Sequence, residues 1–136
     1  MRAFLMILVL AECLCAQSTE QTRKTIERAL PLLERSANEF VAKRDAAMAI
    51  NDSALRNSTL AAVAIDAAAS AQDDVVKSAI GEIRDTAVKN QTAANAALKL
   101  AECKKLAQAT EVAKMINDTA VRNGVLARLA KGESGE

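Results

Sequence analysis

The stretch Ile50-Asn51-Asp52-Ser53-Ala54-Leu55-Arg56-Asn57 returns twice further along the chain with conservative changes. The second copy spans Ile83–Asn90 and the third spans Ile116–Asn123, so the two intervals between copies are identical. A fixed interval of this size is typical of repeat architectures, which usually present a surface or a scaffold rather than a reaction pocket. The phrase therefore predicts that one structural unit is used several times.

The residues between the copies favour helix. Ala, Leu, Glu, Lys, Arg and Gln dominate, and the 136-residue chain has only four Gly and one Pro. Gly81, which lies shortly before the second copy, is the best stop signal in the middle of the chain. We predict helical stretches from about Ser53 to Ile80 and from about Thr86 to Ala130. Each phrase also contains a natural N-cap pair, at Asp52-Ser53, Asp85-Thr86 and Asp118-Thr119.

The interval between copies is three times an eleven-residue register. Such a register has about 3.67 residues per turn of helix, so an apolar stripe that follows it runs nearly straight along the helix. Asn57, Asn90 and Asn123 project close to that stripe, which favours bends or breaks at the phrases. The predicted fold is all-α, with about three Ala-rich amphipathic helices from 33-residue repeats in an extended hairpin or small bundle. The expected packing residues are Ile50, Leu55, Val63, Ile83, Val88, Leu98, Ile116 and Val121.

Residues 1–16 have the pattern of a secretory signal peptide. Arg2 precedes a short apolar run, and Cys13 and Cys15 are small residues at the two positions that a signal peptidase reads. A lipoprotein signal ending at Cys13 is the alternative, but Glu12 occupies the place where that signal requires a small residue. We therefore expect a secreted, extracellular protein with a helical repeat domain at 17–130 and a flexible tail at 131–136.

Four asparagines lie in the Asn-X-Ser/Thr pattern of glycan acceptors in secreted eukaryotic proteins: Asn51, Asn57, Asn90 and Asn117. Asp in the middle position makes Asn51 and Asn117 the poorer acceptors, so Asn57 and Asn90 are predicted first. A glycan at either of these two residues would block the apolar stripe. Glycosylation and an uninterrupted stripe are therefore competing predictions.

Cys103 is the one cysteine that would remain after removal of the signal peptide. One interpretation is a buried small hydrophobic residue, which is a common role of free Cys. The other is an interchain disulfide, or a thiol made more acidic by Lys104 and Lys105, because an extracellular compartment favours oxidation.

Catalysis has little support in these residues. The sequence contains no His, which is the usual general base. Asp73 and Asp74 are adjacent and would point about 100° apart on a helix. A lone Cys103 gives no metal-ligand cluster, no Gly-rich phosphate loop is present, and the near-neutral charge of +1 gives no reason to propose nucleic acid. We predict no enzyme activity, no cofactor and no metal.

Protein contact through helix faces, with a second copy or another protein, is the predicted function. The eleven-residue register also resembles that of exchangeable apolipoproteins, which implies lipid-surface binding as the alternative. Phe40 is the only aromatic residue after residue 16, however, and the apolar face is rich in alanine. The weakest hypothesis is ice binding, as in Ala-rich fish antifreeze helices with Thr every eleven residues. Here the row that contains Thr59 and Thr92 is broken at Cys103 and Lys114.

Overall fold

The computed structural model of the chain describes residues 20, 21, 23–25, 27, 31 and 37–132. The chain divides into two compact units, Met1–Ser36 and Ala37–Glu136, and this division falls inside the predicted 17–130 domain. The predicted signal peptide at 1–16 and most of the tail at 131–136 lie outside the described residues. In the first unit the described residues are helical and exposed, and Arg23 forms ion pairs with Glu20 and Glu27 at 2.9 and 2.8 Å.

The second unit is helical. Part of a helix is described at 37–48 (α1), and the helices α2 (Ser53–Ala69), α3 (Asp73–Glu82), α4 (Thr86–Glu102), α5 (Leu106–Lys114) and α6 (Thr119–Lys131) follow. The described residues form no strand, and the prediction of an all-α fold is confirmed. Helices α2 and α4 each contain 17 residues and begin at equivalent positions of the first and second phrases. The starts of α3 and α5 are separated by the same interval as the phrases.

The three phrases begin helices, as the cap pairs predict. A side-chain oxygen of Asp52 accepts a hydrogen bond from the backbone N–H of Leu55 at 2.8 Å. Asp85 and Asp118 form the same bond three residues ahead, each at 2.9 Å. These bonds satisfy one of the N–H groups that the first turn of a helix leaves without an intrahelical partner. The predicted N-caps are therefore confirmed.

The helices are shorter and more numerous than the sequence suggested. The predicted stretch from Ser53 to Ile80 breaks at 70–72, and the later stretch breaks at 103–105 and again at 115–118. Ala71 and Lys104 adopt positive φ angles of 57° and 60°. The next N–H in each case bonds to a carbonyl five residues back, which is the Schellman way of ending a helix. Gly81 is not the stop, because α3 continues through it to Glu82.

Alanine and a few large aliphatic residues form the core. Helix α4 lies against α2, α5 and α6, and its buried small residues Ala93, Ala96 and Ala97 let these helices approach closely. Of the expected packing residues, Val63, Ile83, Leu98 and Ile116 are buried, Ile50 and Val88 are half-buried, and Leu55 and Val121 are exposed. The fully buried large side chains are Leu60, Val76, Ile80, Leu100, Val112 and Ile116.

Candidate interaction surface

In each of the first two phrases, an asparagine side chain forms a hydrogen bond with the start of the next phrase. The Oδ1 atom of Asn57 accepts from the backbone N–H of Arg84 at 3.3 Å. The Oδ1 atom of Asn90 accepts from the backbone N–H of Asn117 at 2.8 Å. Both bonds span the same separation in sequence, and both donors are the second residue of a phrase. We call this contact the asparagine joint.

The joints align one end of the helices α2, α4 and α6. Asn57 lies in the second turn of α2, and its donor Arg84 lies just ahead of the residue that caps α4. Asn90 relates α4 to α6 in the same way. The N-terminal ends of the three helices are therefore neighbours. The three capping aspartates place negative charge where the positive ends of the helix dipoles meet, which is favourable.

The basic residue directly before the last asparagine of each phrase donates a hydrogen bond to a backbone carbonyl that precedes its helix. Arg56 donates to the carbonyl oxygen of Ile50 at 3.2 Å, and Arg122 donates to that of Ile116 at 3.3 Å. Lys89, in the middle copy, reaches Gly81 at 3.5 Å. These contacts satisfy carbonyl groups that the turns leave without helical partners. The aspartate cap, the asparagine joint and the hydrogen bond from the basic side chain together hold the phrase in one conformation.

A row of aliphatic side chains follows the capped ends. Leu55, Val88 and Val121 occupy the third position of α2, α4 and α6. Leu55 is 56% exposed and Val121 is 40% exposed, while Val88 is half-buried. We call these three residues the capped-end row. Leu55 and Val121 leave large apolar side chains in water, and Val88 between them packs partly against the core, so the row is a candidate contact for another molecule.

An open groove of about 430 Å³ separates α3 from α5. Most of its lining residues are polar or charged, and the charged groups pair along their own helices: Lys77 with Asp73 at 3.2 Å, and Lys114 with Glu111 at 2.7 Å. The hydrogen bond from Lys114, and then its charge, hold the pKa of the Glu111 carboxyl below its usual value. Exposed ion pairs of this kind are ordinary helix-surface features. The groove brings together no groups with an evident chemical task.

The four predicted glycan acceptors differ in their exposure to solvent. Asn51 and Asn117 are exposed, whereas Asn90 is half-buried and Asn57 is only 7% exposed. The side chains of Asn57 and Asn90 are the acceptors of the two asparagine joints. A bulky glycan on either side-chain nitrogen competes with that packing. Glycosylation stays a prediction at all four residues, but the fold favours Asn51 and Asn117, the reverse of the order expected from sequence.

Cys103 lies directly after α4 and is a half-buried free thiol. Its Sγ atom is 3.4 Å from the carbonyl oxygen of Ala69, at the last residue of α2, and a thiol is a weak donor to such a carbonyl. Ser70 holds the corresponding position directly after α2, so a small polar residue follows both α2 and α4. The contact gives Cys103 a local packing role. An interchain disulfide stays a prediction.

The part of the chain that the structure describes contains no group of three or more acidic, His or Cys side chains placed to hold a metal ion. Among the same residues, no helix has both the length and the apolar character needed to cross a bilayer. Comparison with protein-family models, with curated proteins and with solved structures finds no match for this chain.

Proposed function

We propose that this chain is a secreted, N-glycosylated helical interaction protein without catalytic activity, and that its helix pairs form a short solenoid. The observation that carries the proposal is the recurrence of one joint: Asn57 to Arg84, and Asn90 to Asn117. In solenoid proteins each unit contacts only its neighbours, and the stacked units present an extended surface to partners. Close packing of alanine helices supplies the rigidity that such a surface needs.

The capped-end row is the part of that surface best suited to a protein partner. Full burial of an exposed Leu or Val side chain contributes roughly 1.5–3 kcal/mol, so Leu55 and Val121, with the exposed part of Val88, supply a useful apolar centre. Arg56, Lys89 and Arg122 follow the row residues directly in sequence and place positive charge at its border. An apolar centre with a polar border is the usual anatomy of a protein interface.

Lipid-surface binding is the second candidate, because basic residues beside exposed aliphatic ones also suit an anionic membrane. The row contains only three aliphatic side chains, however, and no aromatic residue. Stable membrane attachment needs more apolar area than this, since even a single myristoyl chain binds marginally. The small area of the row therefore favours a protein partner over a lipid surface.

Site-specific photocrosslinking tests the proposal. A photoreactive amino acid replaces Leu55 in one variant and Ala62, an exposed residue on α2 outside the row, in the control. We expect the Leu55 variant to form a discrete adduct with a protein, either another copy or a different chain, and the control to form none. Equal labelling at both positions would contradict a defined surface. Sedimentation with phosphatidylserine vesicles, without any protein adduct, would instead establish the lipid alternative.

A further inference from the structure

Helix α6 exposes a face that its counterparts bury. Leu126 occupies the repeat position of Leu60 and Ala93, and both earlier residues are fully buried, whereas Leu126 is half-buried. Ala130 is exposed, although its counterparts Ala64 and Ala97 are buried. Leu126 and Ala130 are four residues apart and share one helix face. We call this face the α6 edge.

The α6 edge also carries half of an asparagine joint. Asn123 occupies the position of Asn57 and Asn90 in its phrase, but it is exposed. Its side chain forms no hydrogen bond with the residues that the structure describes, whereas the side chains of Asn57 and Asn90 each accept a backbone N–H. A third acceptor of the same kind is thus available on the surface.

The matching donor lies at the first phrase. The backbone N–H of Asn51 occupies the position of the donors Arg84 and Asn117, and it bonds to no acceptor within the described part of the chain. Ile50, next to it, is half-buried, although its counterparts Ile83 and Ile116 are buried. The first phrase is therefore less covered at its first residue than the other two phrases are.

Helix α1, which precedes that donor in sequence, exposes small residues. Ala42 and Ala46 are exposed, while their counterparts one repeat later, Val75 and Ala79, are buried. Ala42 and Ala46 are four residues apart and so share a helix face. We call this face, together with Ile50 and the N–H of Asn51, the first-phrase edge.

The two ends of the unit also differ in charge. Residues 50–82 carry five acidic and two basic side chains, a net charge of −3. Helix α6 carries three basic side chains and no acidic one, while Glu133 and Glu136 follow it, so residues 116–136 have a net charge of zero. The basic side chains of α6 are complementary to the negative charge of residues 50–82, which favours an arrangement in which α6 of one molecule meets the first phrase of another.

We propose that the α6 edge binds the first-phrase edge of a second copy of this chain, head to tail. Asn123 accepts the backbone N–H of Asn51 of the second copy, and so repeats the asparagine joint between molecules. Leu126 and Ala130 pack against Ala42 and Ala46 of the second copy. This inference rests on the proposed function, because it names the second copy as a partner of the helical stack. A contact between two different surfaces does not end at a dimer, so it produces a ring or a filament.

Light scattering over a range of protein concentrations tests the proposal with a matched pair of variants. Ala130→Arg places a bulky charge on the α6 edge, and Ala120→Arg makes the same change at a position that is exposed in all three phrases, as Ala54 and Ala87 show. We expect the unchanged chain and Ala120→Arg to grow beyond a dimer as concentration rises, and Ala130→Arg to stay monomeric. Added salt should weaken the growth, because it screens the charge difference.

Chemical cross-linking identifies the surfaces directly. In a Cys103→Ser background of the secreted chain without residues 1–16, and so without Cys13 and Cys15, chains carrying Asn51→Cys are mixed with chains carrying Ala127→Cys, an exposed residue on α6, and treated with a short bis-maleimide. Head-to-tail contact predicts a cross-linked dimer from the mixture and none from either variant alone. Cross-linking of one variant with itself would instead indicate a symmetric contact between like surfaces.

Specific outcomes overturn the inference. A chain that stays monomeric at every concentration, or an Ala130→Arg variant that assembles like Ala120→Arg, would rule out the head-to-tail contact. If the Leu55 photocrosslink to a different protein persists in that case, the interaction function stands and only the choice of partner falls. If no adduct forms either, the proposed function falls with it.

Discussion

Asn57 and Arg84 are joined across 27 residues by a hydrogen bond from the backbone N–H of Arg84 to the side-chain oxygen of Asn57. Asn57 is 7% exposed, so water has little access to replace the bond. The same bond joins Asn90 to Asn117 in a more open setting. The alignment of α2 with α4, and of α4 with α6, therefore depends in part on a polar side chain at a position that the apolar pattern alone would assign to a hydrophobic residue.

The three equivalent asparagines should differ in their contribution to stability. Asn57→Ala removes a buried side chain and the acceptor of a part-buried hydrogen bond, and should lower the free energy of unfolding by roughly 1–3 kcal/mol. Asn90→Ala should lower the free energy of unfolding by about 1 kcal/mol, because the N–H of Asn117 can then bond to water. Asn123→Ala should cost nothing in the monomer. Urea denaturation at low protein concentration measures all three, and equal losses at Asn57 and Asn123 would show that the joint does not stabilise the fold.

The starts of α2, α4 and α6 are predictable from sequence because their cause is local, whereas α3 and α5 begin without a side-chain cap and are not predicted. Asp52, Asp85 and Asp118 each bond an N–H only three residues ahead, and a pair of Asp with Ser or Thr signals that geometry wherever it occurs. The high content of good helix formers likewise predicts an all-α chain. Neither inference depends on which helices pack together.

Neither the turns at Ala71 and Lys104 nor the asparagine joints can be predicted from the sequence, and the reasons differ. Ala71 and Lys104 end helices in a left-handed conformation that usually selects Gly or Asn, so no residue type marks these breaks. Asn57 and Asn90 interrupt an apolar stripe, a pattern that indicates surface residues rather than buried ones. Their partners are backbone groups 27 residues away, and a backbone N–H has no signature in sequence.

Glycine at either turn should stabilise the protein. Ala71 has a φ of 57°, where a Cβ atom is strained, so Ala71→Gly should raise the free energy of unfolding by up to about 1 kcal/mol. Lys104→Gly should act in the same direction. Ala69→Gly, two residues earlier and still in α2, is the control and should lower stability by about 1 kcal/mol. Thermal unfolding followed by circular dichroism compares the three, and a loss of stability in both turn variants would contradict the left-handed geometry.

A larger residue in the middle helix should disrupt the packing. Ala93 is fully buried on α4, although the counterpart residues Leu60 and Leu126 are both leucine. Because α4 has neighbours on several sides, Ala93→Leu should overpack the core and cost roughly 1–3 kcal/mol. Ala87→Leu, at an exposed position of the same helix, should change stability little. If the two variants unfold at the same denaturant concentration, α4 is not enclosed by α2, α5 and α6.

Glycan occupancy should follow exposure in the folded chain. In a eukaryotic secretory host, Ser53→Ala and Thr119→Ala each remove one acceptor pattern, at Asn51 and Asn117, and should each lower the intact mass of the secreted protein by one glycan. Thr59→Ala removes the pattern at Asn57 and should leave the mass of the secreted protein unchanged beyond the substitution itself. The reason is that a glycan on Asn57 must lie where α2 meets the start of α4, so chains that acquire it should fail to fold and be retained. Full occupancy of Asn57 on a folded, secreted chain would mean that the Asn57–Arg84 joint is absent from that molecule, and the alignment of α2 with α4 would then need another cause.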